Sequence, residues 1–224
     1  MSHSVERHLG VASGSYDETI RRFIPGYETM IGTAAEAVAA ISPDLALDLG
    51  AGTGALSERL LATAPRVVVE LWDVDDAMLS VARERLARFG ARARLVHRSF
   101  DEALPSCDGI MASLALHHVA TIERKTELYR RAFAALRPGG VFANADITIP
   151  SDPAGTKASY RQWADHLVAS GIPEERAWQH FAEWSGEDRY FSLDEELGAL
   201  RSAGFRAECP WQMGPATVTT AVKP

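Results

Sequence analysis

Apolar residues recur at helical spacing early in the chain, at Tyr16, Ile20, Phe23, Ile24, Tyr27 and Ile31. Pro25 interrupts the run, because its ring removes a backbone donor and clashes with the preceding turn. Residues 1–43 therefore predict two helices and no strand. From residue 44 the pattern changes. Short apolar runs at 45–49, 67–72, 94–97, 109–114 and 141–147 alternate with helical patterns. One helical pattern, over 76–89, places Met78, Ala82, Leu86 and Phe89 on one face. The other, over 121–136, does the same with Ile122, Tyr129, Phe133 and Leu136. Strands alternating with helices of this length predict parallel β-α-β units in a doubly wound α/β fold. The nearly unbroken apolar run at 67–72 suits a strand covered on both faces.

Beyond Pro150 the alternation stops. Residues 151–190 carry Trp163, Trp178 and Trp184 in short helical patterns. The alternation then resumes with a capping box, Ser192 and Glu195, and an apolar stripe of Leu193, Leu197 and Leu200. Gly204 ends that helix. Strands over 205–211 and 216–222 follow, joined through Gly214-Pro215 as a closing antiparallel hairpin. The expected fold is a Rossmann-like, mostly parallel seven-stranded sheet with a C-terminal antiparallel hairpin and a helical lid. Residues 1–43 form an N-terminal lid segment. The core spans 44–224, and the helical insertion at 151–190 completes the lid.

The 224 residues and their 46% hydrophobic content suit one core domain with an insertion and exclude a disordered chain. Acidic residues outnumber basic ones 30 to 23, for a net charge of −7, which argues against general nucleic-acid binding. Six arginines, at 83, 85, 88, 92, 94 and 98, do cluster, but on the flank of the expected sheet, where a solvated face paired with nearby acids accounts for them. No apolar run approaches the ~18 residues of a membrane-spanning helix. The opening residues MSHSVERHLG show no secretory leader, so a cytoplasmic location is expected. Cys107 and Cys209 lack metal-ligand spacing, and no metal is expected.

The most informative stretch is 45–55, a buried strand running into Gly50, Gly52 and Gly54 and then a helix. Bare backbone at a helix N-terminus lets a ligand lie close. Gly50, Gly52 and Ala55 formally satisfy a dinucleotide pattern. Asp48 argues against it, since a carboxylate there would oppose a pyrophosphate and favour an ammonium or sulfonium. Asp73 ends the second strand 25 residues on, where a carboxylate can take both hydroxyls of a ribose. Its neighbours Asp75 and Asp76 suit capping of the next helix.

With these features the sequence resembles the class I S-adenosylmethionine-dependent methyltransferases, in particular their small-molecule branch. The resemblance is carried by ALDLGAGTGALSERL (46–60), ELWDVDDAMLSVARERL (70–86), SFDEALPSCDGIMASLALHHV (99–119), LRPGGVFANADI (136–147) and SLDEELGALRSAGF (192–205). It implies that Asp48, Gly50 and Gly52 hold the methionine part of S-adenosyl-L-methionine, and Asp73 the ribose. Val74 and Met78 would line the adenine site. Ser99, followed by Phe100, stands where the family usually has an aspartate for the adenine amino group. Leu114 and Ala115 would pass under the sulfonium, and Pro138-Gly139-Gly140 would turn into the fifth strand. Tyr16 and Asp17 open the segment that closes over the cofactor in resembling enzymes. S-Adenosyl-L-homocysteine would be the product.

Methyl transfer from a sulfonium is an in-line displacement that needs a base only if the acceptor must lose a proton. His117 and His118 follow the fourth strand and Asp146 ends the fifth, so all three can face the site. Each also has a structural reading: a histidine packed on the sheet edge, and an aspartate capping the 148–150 turn. For the substrate, Arg21 and Arg22 could meet an anion, or form a solvated face. Tyr160, Trp163 and His166 could line a small-molecule pocket, or be core. The expected reaction is methylation of a small molecule by a monomer or homodimer. Ile24-Pro-Gly-Tyr27 also resembles carboxymethyl-transferring tRNA enzymes. A nicotinamide-dependent oxidoreductase or a non-catalytic binding protein are the remaining alternatives.

Overall fold

In the computed structural model, which describes residues 15–224, strands follow the expected alternation. Residues 1–14 of the expected N-terminal segment lie outside the described residues. The strands are β1 (Leu45–Leu49), β2 (Val68–Asp73), β3 (Ala93–His97), β4 (Cys107–Ser113), β5 (Leu136–Ile147), β6 (Arg206–Met213) and β7 (Ala216–Val222). They form one sheet in the order β3-β2-β1-β4-β5-β7-β6. β1 to β5 pair in parallel, whereas β7 runs antiparallel to both β5 and β6. The order reverses at β1 and β4, the crevice where open α/β sheets bind ligands.

The helices described are α1 (Tyr16–Phe23), α2 (Tyr27–Ala39), α3 (Ala55–Thr63), α4 (Asp76–Leu86), α5 (Ile122–Ala135), α6 (Pro153–Ala169), α7 (Glu174–Trp184) and α8 (Leu193–Ser202). Strand side chains alternate between faces, so the core has two halves. Ala46, Leu71, Met111 and Ala143 pack on one side with α2, α3 and α6. Leu47, Trp72, Ile110 and Phe142 pack on the other with α5 and α8. Pro25 and the left-handed Gly26 divide α1 from α2. Asp75 caps α4 by accepting from the amides of Ala77 and Met78, and Ser192 with Glu195 forms the capping box of α8.

Several boundaries shift by one or two residues from the sequence reading, and three differ for reasons visible in the backbone. The 76–89 helix stops at Leu86 and tightens into a 3-10 stretch, Ala87–Arg92, because Gly90 breaks the helical backbone. Phe89 still packs on the core, beneath the guanidinium groups of Arg88 and Arg92. β5 begins at Leu136 rather than 141. Pro138-Gly139-Gly140 is an irregular part of the strand, since the Gly139 amide and the Gly140 carbonyl bond to Lys223. β6 runs to Met213, with a register shift around Cys209-Pro210.

The 151–190 insertion packs against α1. The Trp163 indole donates to the Phe23 carbonyl at 2.7 Å, and Arg22 donates to the Ser170 carbonyl at 3.1 Å. Five of the six clustered arginines are engaged: Arg88 with Glu58, Arg94 with Glu70, Arg98 with Glu102, Arg85 with Asp17 and Glu58, and Arg92 with carbonyls of Leu61 and Ala64. Among the described residues, no helix is long and apolar enough to cross a membrane.

Candidate active site

The glycine loop is shaped by what surrounds it. The amides of Gly50 and Ala51 both donate to the Trp72 carbonyl, at 2.8 and 3.0 Å, which turns the chain sharply after β1. Gly50 has φ +67°, and a Cβ there would lie 2.5 Å from the Ala115 Cβ. Gly50→Ala combines left-handed strain with this clash, and we expect it to lower stability by about 2–4 kcal/mol. Gly139→Ala is the control, because its φ is +77° but a Cβ there meets nothing within 4 Å. Denaturant unfolding of the two variants separates the clash from the strain; equal losses would show that the Ala115 contact relaxes freely.

A cavity of about 570 Å³ opens beside this loop, a size that suits a small-molecule ligand. Its walls bring together Asp48, Gly50, Gly52, Asp73, Val74, Met78, Ser99, Phe100, Leu114 and Tyr16. Asp48 is fully buried, and its Oδ2 accepts the Ser57 hydroxyl at 2.6 Å while Oδ1 has no partner among the described residues. Burial pushes its carboxyl up to about 7, against the Ser57 hydrogen bond. Asp73 accepts the Gly52 amide on Oδ2 at 2.7 Å and the Asp75 amide on Oδ1 at 2.9 Å. Burial raises its carboxyl too, with those backbone bonds opposing. Leu114 holds φ +51°, a strained conformation for a branched residue, in the cavity wall just past β4. The Ser99 hydroxyl accepts the Asp101 amide at 3.1 Å, and Asp101 joins the cavity wall two residues on.

Tyr16 covers the cavity from α1. Burial, and then the carboxylates of Asp73, Asp146 and Asp188, hold its hydroxyl protonated well above the ordinary phenol range. The next residue, Asp17, accepts the Thr53 hydroxyl at 2.7 Å and pairs with Arg85, tying α1 to the glycine loop.

At the far end, His117 and His118 lie in a 3-10 turn, Leu116–His118, with ring centroids 4.3 Å apart. His118 lines the cavity; His117 lies behind it. The His117 Nδ1 meets Asp146 Oδ1 at 2.6 Å. Burial works against a charged His117 ring, but Asp146 and then Asp188 raise its pKa above the ordinary value. Burial likewise opposes the Asp146 carboxylate, and His117 outweighs it, lowering the pKa. Asp146 does not cap the 148–150 turn; its Oδ1 accepts the amide of Ile147, and Thr148 donates to Pro215 instead.

Of the residues considered for substrate, Arg21, Tyr160, Trp163 and His166 are all absent from the cavity wall. Arg21 is exposed and paired with Glu28. Trp163 is core, wedged among Phe181, Trp184 and Tyr190. Tyr160 stacks on Trp163, and His166 is half-buried in α6. Sequence reasoning missed Asp101 and Glu187 of the cavity wall and, beside the histidines, Asp188, buried in the loop after α7. Its Oδ1 lies 3.3 Å from His118 Nδ1 and 3.8 Å from His117 Nε2. No spacing signals it, because it is distant in sequence from both histidines.

Among the described residues, the cavity is lined by Asp48, Asp73, Asp101 and Glu187 against one guanidinium, that of Arg98. A dinucleotide pyrophosphate would enter a cavity with an excess of acidic residues, whereas an amino-acid nucleoside cation suits them. The fold, the reversal point and the acid-flanked glycine loop match what the resemblance to class I methyltransferases implies. Comparison with known proteins agrees. Residues 47–142 match the methyltransferase domain family. The chain is 33% identical over 177 residues to a malonyl-[acyl-carrier protein] O-methyltransferase of Geobacter sulfurreducens, covering 75% of this chain and 57% of that one. It is 38% identical over 169 residues to a ubiquinone/menaquinone biosynthesis C-methyltransferase of Methylobacterium nodulans, covering 71% of this chain and 64% of that one. The solved YcgJ protein of Bacillus subtilis shares the fold, with a TM-score of 0.63 at 16% identity over 88% of this chain and 98% of that one. The chain is thus similar to methyltransferases in sequence and in fold, and it spans less than two thirds of the two curated relatives.

Proposed function

We propose that this protein transfers a methyl group from S-adenosylmethionine to a small-molecule acceptor. The observation that carries this reading is the unpartnered, buried Oδ1 of Asp48 in a cavity that also holds Asp73. When bound, S-adenosylmethionine supplies a methyl group already activated by its sulfonium. The chain supplies position. Asp48 and the bare backbone at Gly50 and Gly52 receive the amino-acid end, and Asp73 the ribose hydroxyls. Val74, Met78 and Phe100 flank the adenine, with Ser99 and Asp101 near its amino group. Leu114 and Ala115 form the floor toward the histidine turn, and Tyr16, with the loop that carries Glu187, forms a lid over the cavity. His118 faces the acceptor, and Asp146, through His117, fixes the turn that carries it.

Calorimetry with S-adenosylmethionine, S-adenosylhomocysteine and NAD tests the reading. We expect micromolar binding of both adenosyl ligands and none of NAD; binding of NAD alone would overturn it. Asp48 adds a pH signature. A carboxyl with a pKa near 7 is largely protonated at pH 6, and only its ionised form attracts an ammonium. Affinity for S-adenosylhomocysteine should therefore fall about tenfold between pH 8 and pH 6. Asp48→Asn should abolish that slope, and an unchanged slope in the variant would assign it to another group.

A further inference from the structure

Beyond the methyl-donor cavity, one cluster has the composition of a metal site. We propose that His117, His118 and Asp188 bind a divalent cation of the zinc class, its open coordination position turned toward the cavity. The site itself stands on side-chain geometry. Its use, holding an oxygen of the acceptor beside the donor, rests on the methyltransferase reading.

Donor spacing is the first argument. One ligand atom from each of the three residues lies within 4.8 Å of the others. Tetrahedral zinc, with bonds of about 2.0–2.1 Å, sets neighbouring donors about 3.4 Å apart. The 3.3 Å and 3.8 Å separations of the two imidazoles from Asp188 Oδ1 bracket that value. The imidazole donors, within 4.8 Å of one another, would close toward that spacing on ligation.

The second argument is how the non-ligating atoms are held. Asp146 engages His117 Nδ1, leaving Nε2 on the Asp188 side; a carboxylate behind a ligating histidine is the usual outer support of zinc. Asp188 uses its other oxygen, Oδ2, to accept the Tyr190 hydroxyl at 2.5 Å, which leaves Oδ1 toward the imidazoles. The Arg189 amide donates to the His117 carbonyl at 2.8 Å, so the loop carrying Asp188 is bound to the turn carrying both histidines. Residues far apart in sequence are thereby fixed as one unit.

Charge and access complete the case. Asp188 in the ligand set and Asp146 behind it balance a doubly charged ion. Two imidazoles with one carboxylate suit zinc, cobalt or iron, whereas magnesium and calcium take oxygen ligands. His118 and Glu187 both line the cavity, so the trio borders the space where an acceptor would enter.

Titration of the chelator-treated 224-residue chain with cobalt(II) tests the site. We expect one equivalent to bind with a visible ligand-field band, displaced by zinc and not by magnesium. His118→Ala and Asp188→Asn should each lose the band while circular dichroism stays unchanged. Asp146→Asn should keep the band but weaken affinity about 10–100-fold. Absence of a saturable band, or an undiminished band in both ligand variants, overturns the proposal. S-Adenosylhomocysteine binding without cobalt binding would remove the metal site and leave the methyltransferase reading. Cobalt binding without adenosyl-ligand binding would do the reverse.

Discussion

Asp73→Ala is expected to weaken S-adenosylhomocysteine binding at least about a hundredfold. A carboxylate accepting two ribose hydroxyls makes two charge-assisted bonds, each contributing about 1.5–3 kcal/mol. Two such losses already account for the factor. A second effect acts in the same direction. The Asp73 carboxylate holds the amides of Gly52 and Asp75, so alanine also leaves the glycine loop and the start of α4 without their acceptor. Asp73→Asn separates the two contributions, because its amide oxygen still accepts one backbone bond without the charge. We expect an intermediate loss of about tenfold for asparagine. Calorimetry at pH 8 gives both values, with thermal unfolding reporting the loop. An alanine variant binding within threefold of the parent would remove Asp73 from the ligand site.

The largest effect on stability is expected on the opposite face of the sheet. Lys125 and Glu196, 1% and 2% exposed, form an ion pair between α5 and α8, and the Tyr129 hydroxyl donates to the second Glu196 oxygen at 2.5 Å. Lys125→Met leaves Glu196 buried with only the tyrosine as partner, a loss of about 3–5 kcal/mol. For a chain of this size that corresponds to a drop of about 10 °C in Tm. The double variant Lys125→Met with Glu196→Leu removes both charges and should recover most of the loss, because burying neither ion is cheaper than burying one. None of the three side chains lines the cavity, so affinity for adenosyl ligands should persist in the folded variants. A single variant as stable as the parent would mean that water reaches Glu196 there.

The sequence carried the sheet and one end of the cavity. Alternating apolar runs fixed the strands because a doubly covered strand must be apolar throughout, as at 67–72. Asp48, Gly50, Gly52 and Asp73 were legible because one strand-turn-helix unit and the strand beside it bring them together locally. The lid was not legible in the same way. Trp163 and His166 share a helix face, and helical spacing alone does not distinguish a face that packs on Phe23 from one that lines a pocket. Local backbone chemistry overrode pattern at Gly90, which ended a helix early, and at Gly139, where an expected turn is held in the strand by Lys223.

What only the tertiary structure decided is the far end of the cavity. His117 and His118 announce themselves as a pair, but their partners come from β5 and from the loop after α7. Neither partner stands at a spacing that a helix or strand imposes. Packing of the 151–190 insertion against α1 and the sheet edge brings Asp188 to the histidines. Sequence thus determines what repeats at the period of a helix or strand, and folding alone determines which distant side chains meet.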